Sequence, residues 1–230
     1  MNNIRFFLLL IIAGIMSSCE VDNYEPPSAE LHGSFIDQDT KEPVPSAIVN
    51  GTLIQLIEQG WVENQTNITQ TLVVRNDGSY QNSMVFPGKY KIAVVNGNFQ
   101  PIAPIELTEI NGSTKLDFTV RPYLRVKDAA IAKNGSKVTA TFKVEKTAAD
   151  SLVNIGLFSH PNMSVSANVS VVSATQPVAT ATTAAKVHTL EIDLSNANFI
   201  AGRTYHFRIG ALSSAPGAGY NYGPTIAITK

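Results

Sequence analysis

The chain has 230 residues, 44% of them hydrophobic and 15% charged, with a net charge of −1. That allows one large domain or two ordinary ones with a sizeable core, and it excludes disorder as a global reading. No basic cluster occurs anywhere, so the electrostatic footprint that nucleic acid requires is missing.

At the start, Asn2, Asn3 and Arg5 are polar or positive, and Phe6 to Ile15 form an apolar run of ten. As a helix that run reaches about 15 Å, half of a bilayer core, so residues 1–18 read as an export signal and not a permanent span. Ser17 and Ser18 then precede Cys19, the only cysteine. The arrangement resembles the bacterial lipobox, with Met16 where leucine or valine is commoner. The resemblance implies a Cys19 that is diacylated on sulfur, freed by cleavage and acylated on its new amino group. Several acyl chains give stable membrane attachment where one is marginal. The alternative is a plain secretory signal with an incidental cysteine, whose free thiol would be open to oxidation. With no second cysteine, intrachain disulfides are excluded.

Glu20, Asp22 and Glu25 follow in a polar stretch that ends at Pro26 and Pro27, so residues 19–29 read as a flexible acidic tether. This resembles the export tag that Bacteroidetes use to place lipoproteins on the outer face of the outer membrane. The alternative is a solvated tether on the periplasmic face.

Abundant Thr, Val, Ile and Ser, punctuated by Gly and Pro, indicate an all-β chain. "ELHGSFIDQDTKEPVPSAIVNGTLIQL" predicts two strands around a polar turn. Asp77-Gly78 predicts a hairpin, and Pro87-Gly88 opens another strand. In "TKLDFTV", Leu116, Phe118 and Val120 alternate inward. These segments resemble the carboxypeptidase regulatory-like, transthyretin-like sandwich, through Gly33, Asp37, Thr40, Glu42 and Pro43, then Asp77, Gly78 and Tyr80, then Pro87, Gly88 and Tyr90. The glycines are expected to supply positive-φ turn backbones and the tyrosines to pack as core aromatics with a wet hydroxyl.

Only Arg121 and Pro122 separate this unit, residues 30–121, from the next, so the two are expected to hold a fixed relation. In residues 122–230, Asn134-Gly135 predicts a hairpin, with Val138, Ala140, Phe142 and Val144 on one face. Leu190, Ile192 and Leu194 point inward. "FIAGRTYHFRIGA" resembles the end of a fibronectin type III domain, with Phe199, Gly202 and Tyr205 in its spacing and Ala201 where proline is usual. That implies an immunoglobulin-like sandwich with Tyr205 as its tyrosine corner. The fold class is therefore two β-sandwich domains in tandem. From His160 to Ala185 no residue is charged. Val165, Ala167, Val169 and Val171 alternate as a strand and residues 173–186 read as a loop, so the stretch is either paired within the sandwich or a contact surface.

Chemistry is sparse. His32, His160, His188 and His206 have no metal-ligand spacing; His188 shares the parity of a core face, and His206 shares that of Arg208 and points outward. No nucleophile elbow, P-loop or paired-His motif occurs, and no cofactor is implied. Glu191 and Asp193 share an outward strand face about 7 Å apart; the pair reads as a solvated polar face, with acid–base chemistry as the alternative. No catalytic residue is assigned. Trp61, in "EQGWVENQTN", and Tyr220 and Tyr222, in "GAGYNYGP", are candidate ligand-binding residues, since aromatic rings beside amides suit sugar rings. The alternative places Trp61 at the base of its own sandwich and the tyrosines over the domain seam. Asp150-Ser151-Leu152 resembles the short O-glycosylation sequon of exported Bacteroidetes proteins, which would place a glycan on Ser151.

Across the mature chain, "CEVDNYEPP", "PYLRV", "VTATFKV", "NIGLF" and "YHFRIGAL" resemble an uncharacterised family of two-domain Bacteroidetes lipoproteins. Such proteins look like companions of starch-utilisation-type outer-membrane systems that capture and import glycans. The family carries no established activity, so no functional residue is transferred. The resemblance implies a non-catalytic surface lipoprotein, anchored in the outer membrane through Cys19, that binds or presents polysaccharide alongside other outer-membrane uptake proteins. A structural spacer or adhesion module is the alternative.

Overall fold

A computed structural model of the protein describes residues 25–60, 69–178 and 184–230. Among them run fifteen strands and no helix. The first sandwich contains β1 (Ala29–Asp37), β2 (Leu53–Gln59), β3 (Thr69–Val73), β4 (Ser79–Val85), β5 (Gly88–Val95), β6 (Ile105–Ile110), β7 (Ser113–Lys115) and β8 (Phe118–Val120). One sheet has the order β4-β1-β7, with β8 pairing farther along β1, and the facing sheet runs β3-β2-β5-β6. Alternation explains the packing: Ala29, Leu31 and Phe35 of β1 face Ile54, Leu56, Tyr90 and Ile92 across one core.

The second sandwich contains β9 (Leu124–Asn134), β10 (Lys137–Lys146), β11 (Leu152–His160), β12 (Val172–Pro177), β13 (His188–Asp193), β14 (Thr204–Ser213) and β15 (Asn221–Thr229). Sheet β13-β10-β9 packs on sheet β12-β11-β14-β15. Val138, Ala140, Phe142 and Val144 enclose a core with Leu190, Ile192, Phe207 and Ile209. The predicted β9–β10 hairpin forms, with Asn134 ending β9 opposite Lys137 and Gly135-Ser136 as the turn, Gly135 at φ 62°. His188 is buried beside Phe142, as its parity predicts.

Several expectations change on contact with the fold. Asp77-Gly78 makes a tight turn, with Gly78 at φ 86° and Asp77 Oδ1 accepting from Ser79 N at 2.9 Å. It is not a hairpin, because β3 pairs with β2 and β4 pairs with β1, in different sheets. Gly33 serves close approach and not a turn: a Cβ there would lie 1.9 Å from the Leu116 carbonyl oxygen. The Tyr80 and Tyr90 hydroxyls are not wet, since they donate to the carbonyls of Leu116 and Phe86. In the uncharged stretch, strand and loop exchange places. Residues 172–177 form the edge strand β12, whereas residues 165–171 turn back on themselves through a Ser166–Val169 bridge.

Tyr205 makes the corner that the motif implies. Its ring is buried, its hydroxyl donates to Asn198 O at 3.0 Å, and it accepts from Ile200 N at 2.9 Å. Tyr205→Phe keeps the ring and removes both bonds, which leaves a backbone donor and acceptor unpaired. The expected loss is about 1–3 kcal/mol in unfolding free energy, read from urea denaturation with native circular dichroism unchanged. An unaltered midpoint would show that the corner contributes nothing.

Candidate functional site

The outer face of sheet β12-β11-β14-β15 is not open to solvent. On β14, Tyr205, Phe207, Ile209 and Ala211 enter the core, so Arg208 and Gly210 point the other way. There they meet the first sandwich. Arg208, predicted to share an exposed face with His206, is 1% exposed. Its Nε donates to Gly223 O at 3.2 Å, its Nη1 to Ser46 O at 2.9 Å and Val165 O at 3.4 Å, and its Nη2 to Asn76 O at 2.7 Å. The guanidinium also lies 4.3 Å from the Tyr222 ring centroid. Burial pushes its pKa down to about 10, and the group stays charged at neutral pH.

A small apolar cluster of Ala47, Phe158, Val165 and Tyr222 surrounds this cation. Gly210 makes room for it, because a Cβ there would sit 2.9 Å from both the Phe158 and Tyr220 rings. Amides close the seam. Asn98 Nδ2 donates to Tyr220 O at 3.0 Å, Asn221 Nδ2 donates to Asn98 O at 2.7 Å, and Gly219 N donates to Gly97 O at 2.9 Å. At the rim, Arg125 Nε binds Asp37 Oδ2 at 2.6 Å and Nη1 binds Glu145 Oε1 at 2.8 Å, with Asp39 also paired. Burial would raise the Asp37 carboxyl, but the Arg125 hydrogen bonds and charge hold it below its usual range.

Two hollows flank this seam. The first, about 490 Å³, is lined by Asn50, Asn96, Gly97, Asn168, Gly219 and Tyr220 among others, and no lining side chain is charged. The second, about 420 Å³, lies beside the Arg125 network and includes Glu42 and Lys127.

The candidate aromatics therefore part company. Tyr220 lines the first hollow, half-buried and edge-on to Phe158 at 5.4 Å. Tyr222 is 6% exposed, packed under Arg208, and its hydroxyl accepts from Ala167 N at 3.2 Å. It offers no open ring face, because the first sandwich and the 161–169 loop cover it. Trp61 and Cys19 lie outside the described residues. Ser151 is exposed at the start of β11, its N–H donating to Ser214 Oγ at 2.9 Å.

The remaining titratable groups do not converge. Glu191 pairs with Lys137 at 2.8 Å and accepts from Thr139, while Asp193 accepts from Ser195 N at 2.8 Å. The β11–β14 register sets His160 opposite His206, yet no group of three His, Cys, Asp or Glu forms among the described residues. Sequence reasoning missed Arg208, Asn98 and the amides Asn50 and Asn96. Asn50-Gly51 and Asn96-Gly97 are readable as turns, but nothing local says that those turns meet β14 and β15.

Arg208→Met removes the cation and takes a donor from four carbonyls. We expect the seam to lose about 2–5 kcal/mol, and one calorimetric unfolding transition to separate into two. A single transition at the parental temperature would show that Arg208 does not couple the sandwiches.

A family model described as "Protein of unknown function (DUF3823) N-terminal domain" matches residues 29–121, and one described as "Domain of unknown function (DUF3823_C)" matches residues 124–226. A crystal structure from Bacteroides uniformis, described as a candidate carbohydrate-binding protein, is 36% identical over 89% of this chain and 100% of its own, with a TM-score of 0.80. A DUF3823 family protein from Bacteroides ovatus is 23% identical over 88% of this chain and 99% of its own, with a TM-score of 0.71. One from Parabacteroides merdae is 16% identical over 89% and 100%, with a TM-score of 0.73. These last two share the fold. No curated protein matches the chain.

Proposed function

Because the chain belongs to the two-domain DUF3823 family, we propose, on that premise, that it is a non-catalytic glycan-binding lipoprotein. It is held on the outer membrane by acyl chains on Cys19, faces the cell exterior and presents polysaccharide to an uptake system. The observation that carries the binding part is the lining of the first hollow: amides, backbone groups and Tyr220, with no acid–base pair. Amides and a tyrosine can exchange hydrogen bonds with hydroxyls and cover a sugar ring, but they supply no proton donor poised near neutral pH. The relative from Bacteroides uniformis, with its description as a candidate carbohydrate-binding protein, supports the same reading.

A spacer or adhesion module is the second reading, favoured by the extensively bonded seam. Only part of its expected contact surface is engaged within the molecule, and the edge strand β12 stays mostly exposed. Val165 and Ser166 are buried, and β12 is paired to β11.

The test is affinity electrophoresis and calorimetry of residues 20–230, which keep every described strand, against a broad polysaccharide panel. Retention on one glycan, with Tyr220→Ala weakening it, is the expected result. Silence across the panel would overturn the glycan reading for those ligands. The anchor is tested separately. Cys19→Ser should abolish labelling by a fatty-acid analogue and move the protein from the membrane to the soluble fraction, and a variant that stays labelled would refute lipidation at Cys19.

A further inference from the structure

We infer that the first seam hollow is a site for a segment of uncharged oligosaccharide, gripped from both sandwiches at once. This rests on the glycan-binding reading and specifies its site and ligand class.

The walls come from loops of both sandwiches. Asn50 belongs to the β1–β2 connection and Asn96 and Gly97 to the turn after β5, whereas Asn168 and Tyr220 belong to the second sandwich. Its volume of about 490 Å³ falls within the range of ligand clefts, about 300–1,000 Å³. Each amide offers both donors and acceptors, which matches a ligand made of hydroxyls, since every hydroxyl gives and accepts. Asn50, Asn96 and Asn168 are exposed, with Asn168 Nδ2 already donating to Val49 O.

Charge decides the class. A uronic acid or sulfate entering the hollow would lose water, and it would need charge-assisted donors in return. The lining supplies none. The nearby cation, Arg208, is buried, and backbone carbonyls already occupy its Nε, Nη1 and Nη2. The second hollow differs in this respect, since Glu42, Arg125 and Lys127 border it. Basic ligands fare no better in the first hollow, which has no carboxylate.

The walls are also fixed before a ligand arrives. Gly219 N bonds Gly97 O across the seam, and Asn168 Nδ2 reaches Val49 O at 3.2 Å. A cleft whose backbone is already ordered loses little entropy on binding.

Two of the amides can be removed without straining the chain. Asn50 and Asn96 sit at φ 54° and 60°, where glycine is at ease. The experiment compares residues 20–230 with the Asn50→Gly/Asn96→Gly double variant, a Tyr220→Ala variant and a Trp61→Ala variant. The probes are malto-, xylo-, manno- and cello-hexaose, with hexagalacturonate and a chondroitin sulfate hexasaccharide as anionic counterparts. The expected result is binding of a neutral probe, a loss of about tenfold or more in the double variant from the missing hydrogen bonds, and no binding of the anionic pair. Unfolding temperatures near the parental value would show that the loss is local.

Three results would overturn the inference. Neutral binding that survives the double and Tyr220 variants but disappears in Trp61→Ala moves the site elsewhere and leaves the glycan reading standing. Preferential binding of an anionic probe that the double variant weakens would show that the ligand class is wrong. No binding of any probe, neutral or anionic, removes both the inference and the reading on which it rests.

Discussion

The most deeply buried tie between the two sandwiches is a guanidinium, that of Arg208. Arg208 has no carboxylate within hydrogen-bonding distance among the described residues, and it lies in a place where an isolated charge is costly. Four backbone carbonyls and an aromatic face offset that cost, with Asp77 adding a favourable charge at longer range. The benefit runs the other way too. Ser46, Asn76 and Gly223 are in or next to irregular segments, whose carbonyls would otherwise be buried without donors. A delocalised, weakly hydrated cation with several fixed donors meets those carbonyls better than an ammonium would. The loops that it pins are the same ones that line the hollow, since Ser46 leads to Asn50, and Gly223 follows Tyr220 and Tyr222.

Arg125 does a different job at the rim. Its three carboxylate partners come from both sandwiches, with Asp37 and Asp39 on one side and Glu145 on the other. The partly exposed Asp39 and Glu145 arms contribute modestly to stability, whereas the Asp37 arm is buried, and the planar guanidinium clasped on it ties the two units. Asn98 and Asn221 then complete the joint. Asn98 O accepts from both Tyr123 N and Asn221 Nδ2, so the linker and the last loop are tied to one carbonyl. The short connection through Arg121 and Pro122 is thereby held at both ends, and the expected fixed relation has its cause.

What could be read from the sequence was whatever is decided within a few residues. Alternation placed Val138 to Val144 and Leu190 to Ile192 on their core faces, and the spacing around Tyr205 announced the corner. Asn134-Gly135 joined its own two strands because the flanking segments had no better partner. Asp77-Gly78 specified a turn equally well, but a turn does not choose which sheet each strand enters. Parity put Arg208 on the outer face of β14 and could not say that a second domain covers that face. The uncharged stretch failed for a related reason. Val165 is apolar because it faces the seam, not because it belongs to a strand, and the true strand from Val172 is a polar edge. Tyr222 was legible as an aromatic in a glycine-rich loop, yet its burial depends on Arg208 and on the distant loop around Ala167.

The hollow is a product of the tandem arrangement. Neither sandwich has it alone, since removal of one takes away either Asn50 and Asn96 or Asn168 and Tyr220. Such a cleft can hold a ligand without moving, and its walls carry nothing that would cut or transfer one. Rigidity and chemical blandness are drawbacks for an enzyme, which must bind its transition state more tightly than its substrate. A protein that retains a polymer and passes it on has no such requirement. For it the ordering cost falls on folding, and the ligand meets walls that are already set. On the proposed glycan reading the unit of function is the docked pair, and the buried cation beneath the hollow is one of the ties that keep that pair docked.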